Sequence, residues 1–567
     1  MPLKPSIVRG ALEPALLEYT IGEALNRAVK RWPKQEALVS VHQNIRWTYE
    51  QLGARVDQLA AGLLALGLKP GDRVGVWAPN RAEWMLVQFA TARAGMIQVN
   101  INPAYRITEV EYTLKKVGVK ALICAESFKT SDYVGMINEL APEIATSKPG
   151  ELESARLPDL RIVAQLAGPE GQRPRPGWMA FEEIAAQATG KLADRLNSIA
   201  ETLDRNDAIN IQFTSGTTGL PKGATLSHRN ILNNAYFVGL GMGLGEGDRL
   251  LIPVPLYHCF GMVMGNLACI VHGATMVYAS EGFEPLAVLE TVQAERATAL
   301  HGVPTMFIAE LEHPKFDTFD LNSLRTGIMA GSPCPIEVMR KVNDRMHMRH
   351  VGIAYGMTET SPVSFQTAVN DPLERRVSTV GRIQPHLEVK IIDPEGEIVP
   401  RGQPGELCTR GYSVMIGYWN DLEKTAEAVD EEGWMHTGDL ATIDEEGYCN
   451  IVGRIKDMVI RGGENVYPRE IEEYLFRHPK IEDVTVVGVP DPKYGEEICA
   501  WVKLRAGESA HAQEIIDFCR GQIAHYKVPR YVKFVDAFPM TVTGKIQKFE
   551  IRKAMSEELG LREIKTA

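Results

Sequence analysis

Apolar residues recur along the N-terminal part of the chain with two different periods. Leu52, Val56, Leu59, Leu63 and Leu66 fall at helical spacing. Thr48 and Gln51 just ahead of them form a capping box, predicting a helix that opens there. Lys69-Pro70-Gly71-Asp72 ends it, and Val74-Gly75-Val76-Trp77 reads as a buried strand. Similar helix–turn–strand units continue to about residue 130, which points to an α/β architecture. Residues 143 to 176, with SKPGELESARLPDL and GPEGQRPRPG, are rich in Pro, Gly and charge. They are expected to form a surface excursion, not a domain linker, because α/β patterning resumes after them.

The run from Leu250 to Ala279 is the most apolar long stretch, but Pro253, Pro255, His258, Asn266 and His272 interrupt it. A membrane-spanning helix needs about 20 mostly apolar residues, so this run reads as buried core. Beyond residue 380 the pattern changes to short strands and turns, such as Leu387 to Ile392 followed by Asp393-Pro394-Glu395-Gly396, as in a small β-rich subdomain. From about 456 a compact unit is expected: helix 468–477 with Pro468 in its first turn, strands 484–489 and 500–504, helix 512–523 and strand 531–535. This divides the chain into 1–455 and 456–567. No internal repeat or low-complexity tract is evident.

Length and charge narrow the function. A chain of 567 residues is too long for one core. Its net charge of −11 argues against a broad nucleic-acid-binding face. The eight cysteines are scattered without a CxxC pair, so neither a disulfide framework nor a structural zinc site is expected. The N-terminal MPLKPSIVRGALEPALLEYT lacks the apolar centre of a signal peptide. The C-terminal IKTA is not a peroxisomal address. The expected location is cytoplasmic, with no transmembrane segment.

The most informative stretch is Ile209 to Lys222, INIQFTSGTTGLPK. An apolar strand delivers a loop in which six of the nine residues from Thr214 to Lys222 are Thr, Ser or Gly. Backbone N–H groups there can face an anion, with hydroxyls from Thr214, Ser215, Thr217 and Thr218 as further donors. Gly216 and Gly219 allow close approach, and Lys222 adds a cation suited to phosphate oxygens. In the common phosphate loop Gly precedes the Lys and Ser or Thr follows it. Here Pro221 precedes Lys222 and Gly223 follows it, so a P-loop NTPase is disfavoured. On composition alone, a plain Gly/Thr surface loop is the alternative.

TSGTTGLPKGA (Thr214 to Ala224) resembles the phosphate-binding signature of the adenylate-forming superfamily, which includes acyl- and aryl-CoA synthetases, peptide-synthetase adenylation domains and firefly luciferase. Four further signatures follow in order: Tyr355-Gly356-Met357-Thr358-Glu359-Thr360, His436-Thr437-Gly438-Asp439, Gly453-Arg454-Ile455-Lys456-Asp457 and PMTVTGK ending at Lys545. The resemblance covers nearly the whole chain. GGENVYPREIEE (462–473) and TGKIQKFEIR look like the medium-chain branch of the fatty acyl-CoA synthetases.

The resemblance implies a fold and a reaction. The fold is a large N-terminal AMP-binding domain of α/β subdomains and a small β-rich subdomain, followed by a small mobile α+β domain. The reaction joins a carboxylic acid to ATP, giving acyl-AMP and pyrophosphate, and then transfers the acyl group to coenzyme A. Bringing two anions together requires charge neutralisation. By resemblance Glu359 is the magnesium carboxylate, with the Thr214 hydroxyl beside it. Tyr355, Gly356 and Thr358 line the adenine site, with Gly331-Ser332-Pro333 opposite, and Asp439 and Arg454 hold the ribose. Lys545 stabilises the adenylation transition state with Lys222. The small domain would turn about Lys456, beside Asp457, and bring Gly462-Gly463-Glu464 to the CoA thiol. His258 matches a position beside the carboxylate. Met262, Val303, Met306 and Met357 are candidate acyl-pocket lining, with Gly261, Gly265 and Gly331 leaving room for a tail.

Partners are therefore a short- to medium-chain fatty acid, ATP and CoA, and a homodimer is an assembly the resemblance allows. Three other readings stand beside this one. They are an adenylating enzyme for an aryl or sulfur-containing acid or a carrier-protein thiol, a luciferase-like oxygenase, and a nucleotide sensor without turnover. The sensor would be expected to lack Lys545 or Glu359.

Overall fold

The computed structural model describes residues 4–168, 174–214, 221–332, 334–461, 464–541 and 544–561. Thr48 caps the helix Tyr49–Ala65 in the expected box with Gln51, and the strand Arg73–Trp77 follows the predicted break. That strand sits in an eight-stranded sheet ordered Met179–Ala180, Ile162–Gln165, Val119–Cys124, Arg73–Trp77, Ile97–Asn100, Ala208–Thr214, Lys222–Ser227, Gly417–Tyr418. The strands up to Ala208–Thr214 pair in parallel, and Lys222–Ser227 then turns antiparallel. Parallel strands buried on both faces need nearly continuous apolar sequence, as in VKALIC at Val119–Cys124.

The 143–176 excursion needs correction. Ile162–Gln165 is a fully buried strand of this sheet, and Leu152, Leu157 and Leu160 are buried. Pro- and charge-rich flanks hid three apolar anchors and one four-residue strand.

A nine-stranded sheet runs in the order Arg382–Ile383, Val363–Gln366, His350–Gly356, Thr326–Ala330, Ala299–Gly302, Arg249–Leu251, Thr275–Tyr278, Glu36–Ser40, Ile45–Thr48. Its interior members from His350–Gly356 to Glu36–Ser40 are parallel. The Leu250–Ala279 run is buried core, as expected: two strands of this sheet flank a helical segment containing a π-helical stretch, Met262–Leu267. One apolar cluster links the eight- and nine-stranded sheets. A second joins the nine-stranded sheet to the predicted β-rich subdomain through Val389, Ile391, Leu407, Ala441 and Ile443. That subdomain is a five-stranded antiparallel sheet of Ile7–Arg9, Leu387–Ile392, Gly405–Gly411, Met435–Ile443 and Cys449–Arg454.

The last sheet contains Val459–Arg461, Glu464–Val466, Ile481–Asp491, Gly495–Leu504 and Tyr531–Phe534. Its two apolar clusters draw every member from residues 459 to 561. The predicted helices appear at Pro468–Leu475 and Ala512–Cys519, shorter at their C-terminal ends than expected. This unit packs against the rest of the chain: Arg505 Nη1 lies 2.7 Å from Glu312 Oε1, and Arg469 Nη1 donates to the Ile451 carbonyl at 2.7 Å. All eight cysteines are free and buried. Among the described residues no helix is long and apolar enough to cross a membrane.

Candidate active site

Ligands of open α/β sheets bind at the carboxyl ends of the strands. Here three neighbouring parallel strands, Ala299–Gly302, Thr326–Ala330 and His350–Gly356, end on one edge. They deliver Val303, Gly331 and, in the last turn of the third strand, Tyr355. Gly331 has φ +91°, a conformation that favours glycine. A Cβ there would stand 3.7 Å from Lys545 Cε. Ser332 is half-buried beside it; Pro333 lies outside the described residues.

The phosphate-loop flanks come from the other sheet. Thr214 closes one strand and Lys222 opens the next, and the two are cross-strand partners. Residues Ser215, Gly216, Thr217, Thr218 and Gly219 lie outside the described residues. The Thr214 hydroxyl donates to Glu359 Oε1 at 3.1 Å, across 145 positions of sequence. Glu359 sits on the 3₁₀ turn Thr358–Thr360 and is only 5% exposed. A buried carboxylate needs donors or a cation. Both hydrogen bonds it receives from described side chains, from Thr214 and Tyr418, fall on Oε1. Among the described residues Oε2 is left without a donor. Thr358 is buried in the same turn. Gly356 is required by packing, since a Cβ would collide with the Pro362 carbonyl oxygen at 1.7 Å.

The β-rich subdomain supplies the second wall. Asp439 and Arg454 are cross-strand partners, with Arg454 Nε 3.2 Å from Asp439 Oδ1. The Tyr355 hydroxyl donates to Asp439 Oδ2 at 2.6 Å. Burial raises the Asp439 pKa; Arg454 and then the Tyr355 hydrogen bond oppose the rise. Burial and the Asp439 charge push Tyr355 far up, so it stays a donor. The turn is held from behind: Glu406 Oε1 accepts from the Gly438 N–H at 3.1 Å, and the Asp439 N–H donates to Thr437 Oγ1 at 3.1 Å.

Lys545 comes from the C-terminal unit. The Lys545 N–H donates to Thr541 Oγ1 at 3.0 Å, and the Thr541 N–H donates back to the Lys545 carbonyl at 2.7 Å. Gly544, at φ +77°, lies against Val303 of the N-terminal part, where a Cβ would approach Val303 Cγ2 to 2.9 Å. Burial lowers the Lys545 pKa, the Arg454 charge lowers it further, and Asp439 and Glu359 pull it back up. The lysine thus lies in the joint field of the Asp439–Arg454 pair and the Glu359 carboxylate. His258 Nδ1 accepts from the Phe260 N–H at 3.2 Å, capping the short turn Cys259–Gly261. Burial, then the Lys545 charge, pushes His258 down to about 3, so it is neutral. Lys456 is exposed on the turn Ile455–Asp457 between the two last sheets. Gly462 and Gly463 lie outside the described residues.

The acyl-pocket expectations are partly overturned. A Cβ on Gly261 would come within 2.5 Å of the Pro255 carbonyl oxygen, and one on Gly265 within 2.8 Å of Ile252 Cδ1. Both glycines permit close packing and leave no room for a tail. Met262 is fully buried, and its sulfur accepts from the Asn100 and Gln212 side-chain amides. It belongs to a buried polar ladder through Gln98, Asn100, Asn210 and Gln212. Val303 and Met306 are buried and Met357 is half-buried. The sequence reading also missed Tyr418, which no spacing separates from ordinary core, and Glu406, whose partner is 32 positions away.

The buried Glu359 carboxylate, the Thr214–Lys222 strand pair and Lys545 from the C-terminal unit form one charged cluster that can hold an anionic ligand. The comparisons with known proteins agree. Residues 25–419 match the AMP-binding enzyme family, and residues 470–545 match the AMP-binding enzyme C-terminal domain. The chain is 47% identical over 562 residues to the medium-chain acyl-CoA ligase ACSF2, mitochondrial, of Macaca fascicularis, covering 98% of this chain and 90% of that protein. It is 50% identical over 551 residues to YngI of Bacillus subtilis (strain 168), provisionally named an acyl-CoA synthetase, covering 96% and 99%. The crystal structure of the anthranilate CoA ligase AuaEII in complex with anthranoyl-AMP superposes with a TM-score of 0.84 at 26% identity, covering 96% of this chain and 99% of that one. The chain belongs to the AMP-binding enzyme family, and its activity is that of an AMP-forming acid–thiol ligase, an ATP-dependent acyl-CoA synthetase.

Proposed function

We propose that the acid this ligase activates is a short- to medium-chain fatty acid, with Mg²⁺ as the cofactor and CoA as the acceptor. The relatives named medium-chain acyl-CoA ligases, matched along 98% of this chain, carry the substrate class. In the first half-reaction the carboxylate oxygen attacks the α-phosphorus of ATP and pyrophosphate leaves. In the second the CoA sulfur attacks the acyl carbon and AMP leaves. Mg²⁺, when bound, neutralises phosphate charge; hard cations take oxygen ligands, and Glu359 with the Thr214 hydroxyl would hold it. With both described donors on Oε1, Oε2 is left for a cation, which supports that assignment.

Lys222 meets the phosphates, and Tyr355, Gly356, Thr358, Gly331 and Ser332 the base. Neutral His258 borders the carboxylate. Lys545 donates to the reacting oxygens. The mobile unit begins at Lys456 and turns there between half-reactions, bringing the Gly462-Gly463-Glu464 segment to the thiol. A cytoplasmic location and a homodimer belong to the same proposal; fractionation and sedimentation check them.

The test is CoA-dependent AMP formation with acids from acetate to palmitate. Each buried CH₂ contributes roughly 0.8 kcal/mol, so kcat/KM should climb with length, peak among medium chains and then fall. A flat profile, or a preference for benzoate or anthranilate, would overturn the substrate class.

Asp439 holds the ribose hydroxyls in this reading, and the nucleotide stays through both steps. Asp439→Asn should therefore slow both half-reactions alike, by about 10- to 100-fold, the range for a hydrogen bond to a charged group. Loss confined to one half-reaction would remove the ribose role.

A further inference from the structure

We propose that Tyr418 is a positioning residue that orients the Glu359 carboxylate and steadies Lys222, so that one ring serves two functional groups of adenylation. This rests on the metal and phosphate roles proposed above.

The Tyr418 hydroxyl donates to Glu359 Oε1 at 2.9 Å, the same oxygen that accepts from Thr214. Two donors on one oxygen fix the carboxylate's rotation and leave the lone pairs of Oε2 for a cation. The face of the same ring carries Lys222 Nζ 4.4 Å from its centroid. A cation–π contact of that length restrains a lysine whose four-carbon stem would otherwise sample many rotamers.

The backbone around Tyr418 is tied to both partners. Tyr418 pairs with Ala224 and Gly417 with Thr225, on the strand that Lys222 opens. The Trp419 N–H donates to the Gly223 carbonyl at 2.8 Å and the Ile416 N–H to the Thr225 carbonyl at 2.9 Å. On the other side, the Met415 N–H donates to the Glu359 carbonyl at 2.9 Å. The Tyr418 N–H itself donates to Thr425 Oγ1 at 2.9 Å. Residues 415–419 therefore hold the backbone and carboxylate of Glu359 and the base of Lys222. A purely apolar role would need none of these polar contacts, and phenylalanine would serve it as well.

The test separates the hydroxyl from the ring. Tyr418→Phe keeps the face under Lys222 and removes the donor. It should raise the Mg²⁺ concentration for half-maximal pyrophosphate release several-fold and lower the adenylation kcat about tenfold, with little change in the KM for ATP. Tyr418→Leu removes both contacts and should also raise that KM. Thioester formation from supplied acyl-AMP and CoA should proceed at the wild-type rate in both variants. Tyr418→Phe placed on Glu359→Gln should add no further change in magnesium dependence, because its target is already gone.

A wild-type magnesium curve for Tyr418→Phe, beside a shifted one for Glu359→Gln, would overturn the proposal for Tyr418 alone. If neither variant shifts the curve, the metal assignment fails and this inference with it. Parallel loss of both half-reactions in Tyr418→Phe would show a structural residue and also overturn it.

Discussion

Replacing Lys545 by alanine should lower acyl-adenylate formation by three orders of magnitude or more, while thioester formation from supplied acyl-AMP and CoA survives. Removing one preorganised donor from developing charge typically costs on the order of 4 kcal/mol. Here the donor is a full charge, and burial, which lowers its pKa, also strengthens its field. In the proposed scheme only this arrangement uses the lysine: its loop lies against Val303 and Gly331, which belong to the N-terminal part. The second step, in the proposed scheme, is run with the C-terminal unit turned away. Assaying the two half-reactions separately decides the matter. Equal loss of both would make Lys545 structural.

A pH consequence follows with a definite sign. A lysine with a lowered pKa loses its charge as pH rises through that lowered value. The adenylation kcat/KM, which reports the free enzyme, should therefore fall on the alkaline side, below the ordinary lysine range. The residual activity of Lys545→Ala should lack this alkaline limb.

The pattern of residues disclosed some of this site and concealed the rest, for physical reasons. Local chemistry was legible: the Thr48–Gln51 cap, the turn at 69–72 and the strand from Ile209 to Phe213 all appear as read. Three strands of the C-terminal unit were legible too, as short apolar runs, whereas Val459–Arg461 and Glu464–Val466 were not read as strands. What failed depended on a neighbour distant in sequence. Whether Gly261 leaves space or fills it turns on the Pro255 carbonyl facing it, and composition cannot report that. Met262 has the chemistry of pocket lining, yet its sulfur serves two amides from another sheet. Leu152, Leu157 and Leu160 are too sparse among charges to register as core until Ile162–Gln165 is seen pairing with Val119–Cys124. Tyr418 escaped for the same reason, since its meaning lies in Glu359 and Lys222.

Glu359→Gln should reduce adenylation by a factor of several hundred to several thousand and shift half-saturation to much higher magnesium. The substitution preserves volume, and the amide oxygen can still accept from Thr214 and Tyr418, so folding and melting temperature should stay near wild type. What changes is charge. The buried carboxylate is the anionic group of the Thr214–Glu359–Tyr418 cluster, and an amide oxygen is a poor substitute as a ligand for a hard cation. Losing the metal's stabilisation of the transition state costs several kcal/mol, and raising Mg²⁺ should recover only part of it. The second half-reaction has no pyrophosphate to neutralise. Acyl-AMP supplied with CoA should therefore react in the variant at a rate close to wild type, with no magnesium requirement. Pyrophosphate release titrated against Mg²⁺, beside thioester formation in EDTA, measures both sides. A variant that adenylates normally at limiting magnesium would remove Glu359 from the metal site and leave its burial to be explained by Thr214 and Tyr418 alone.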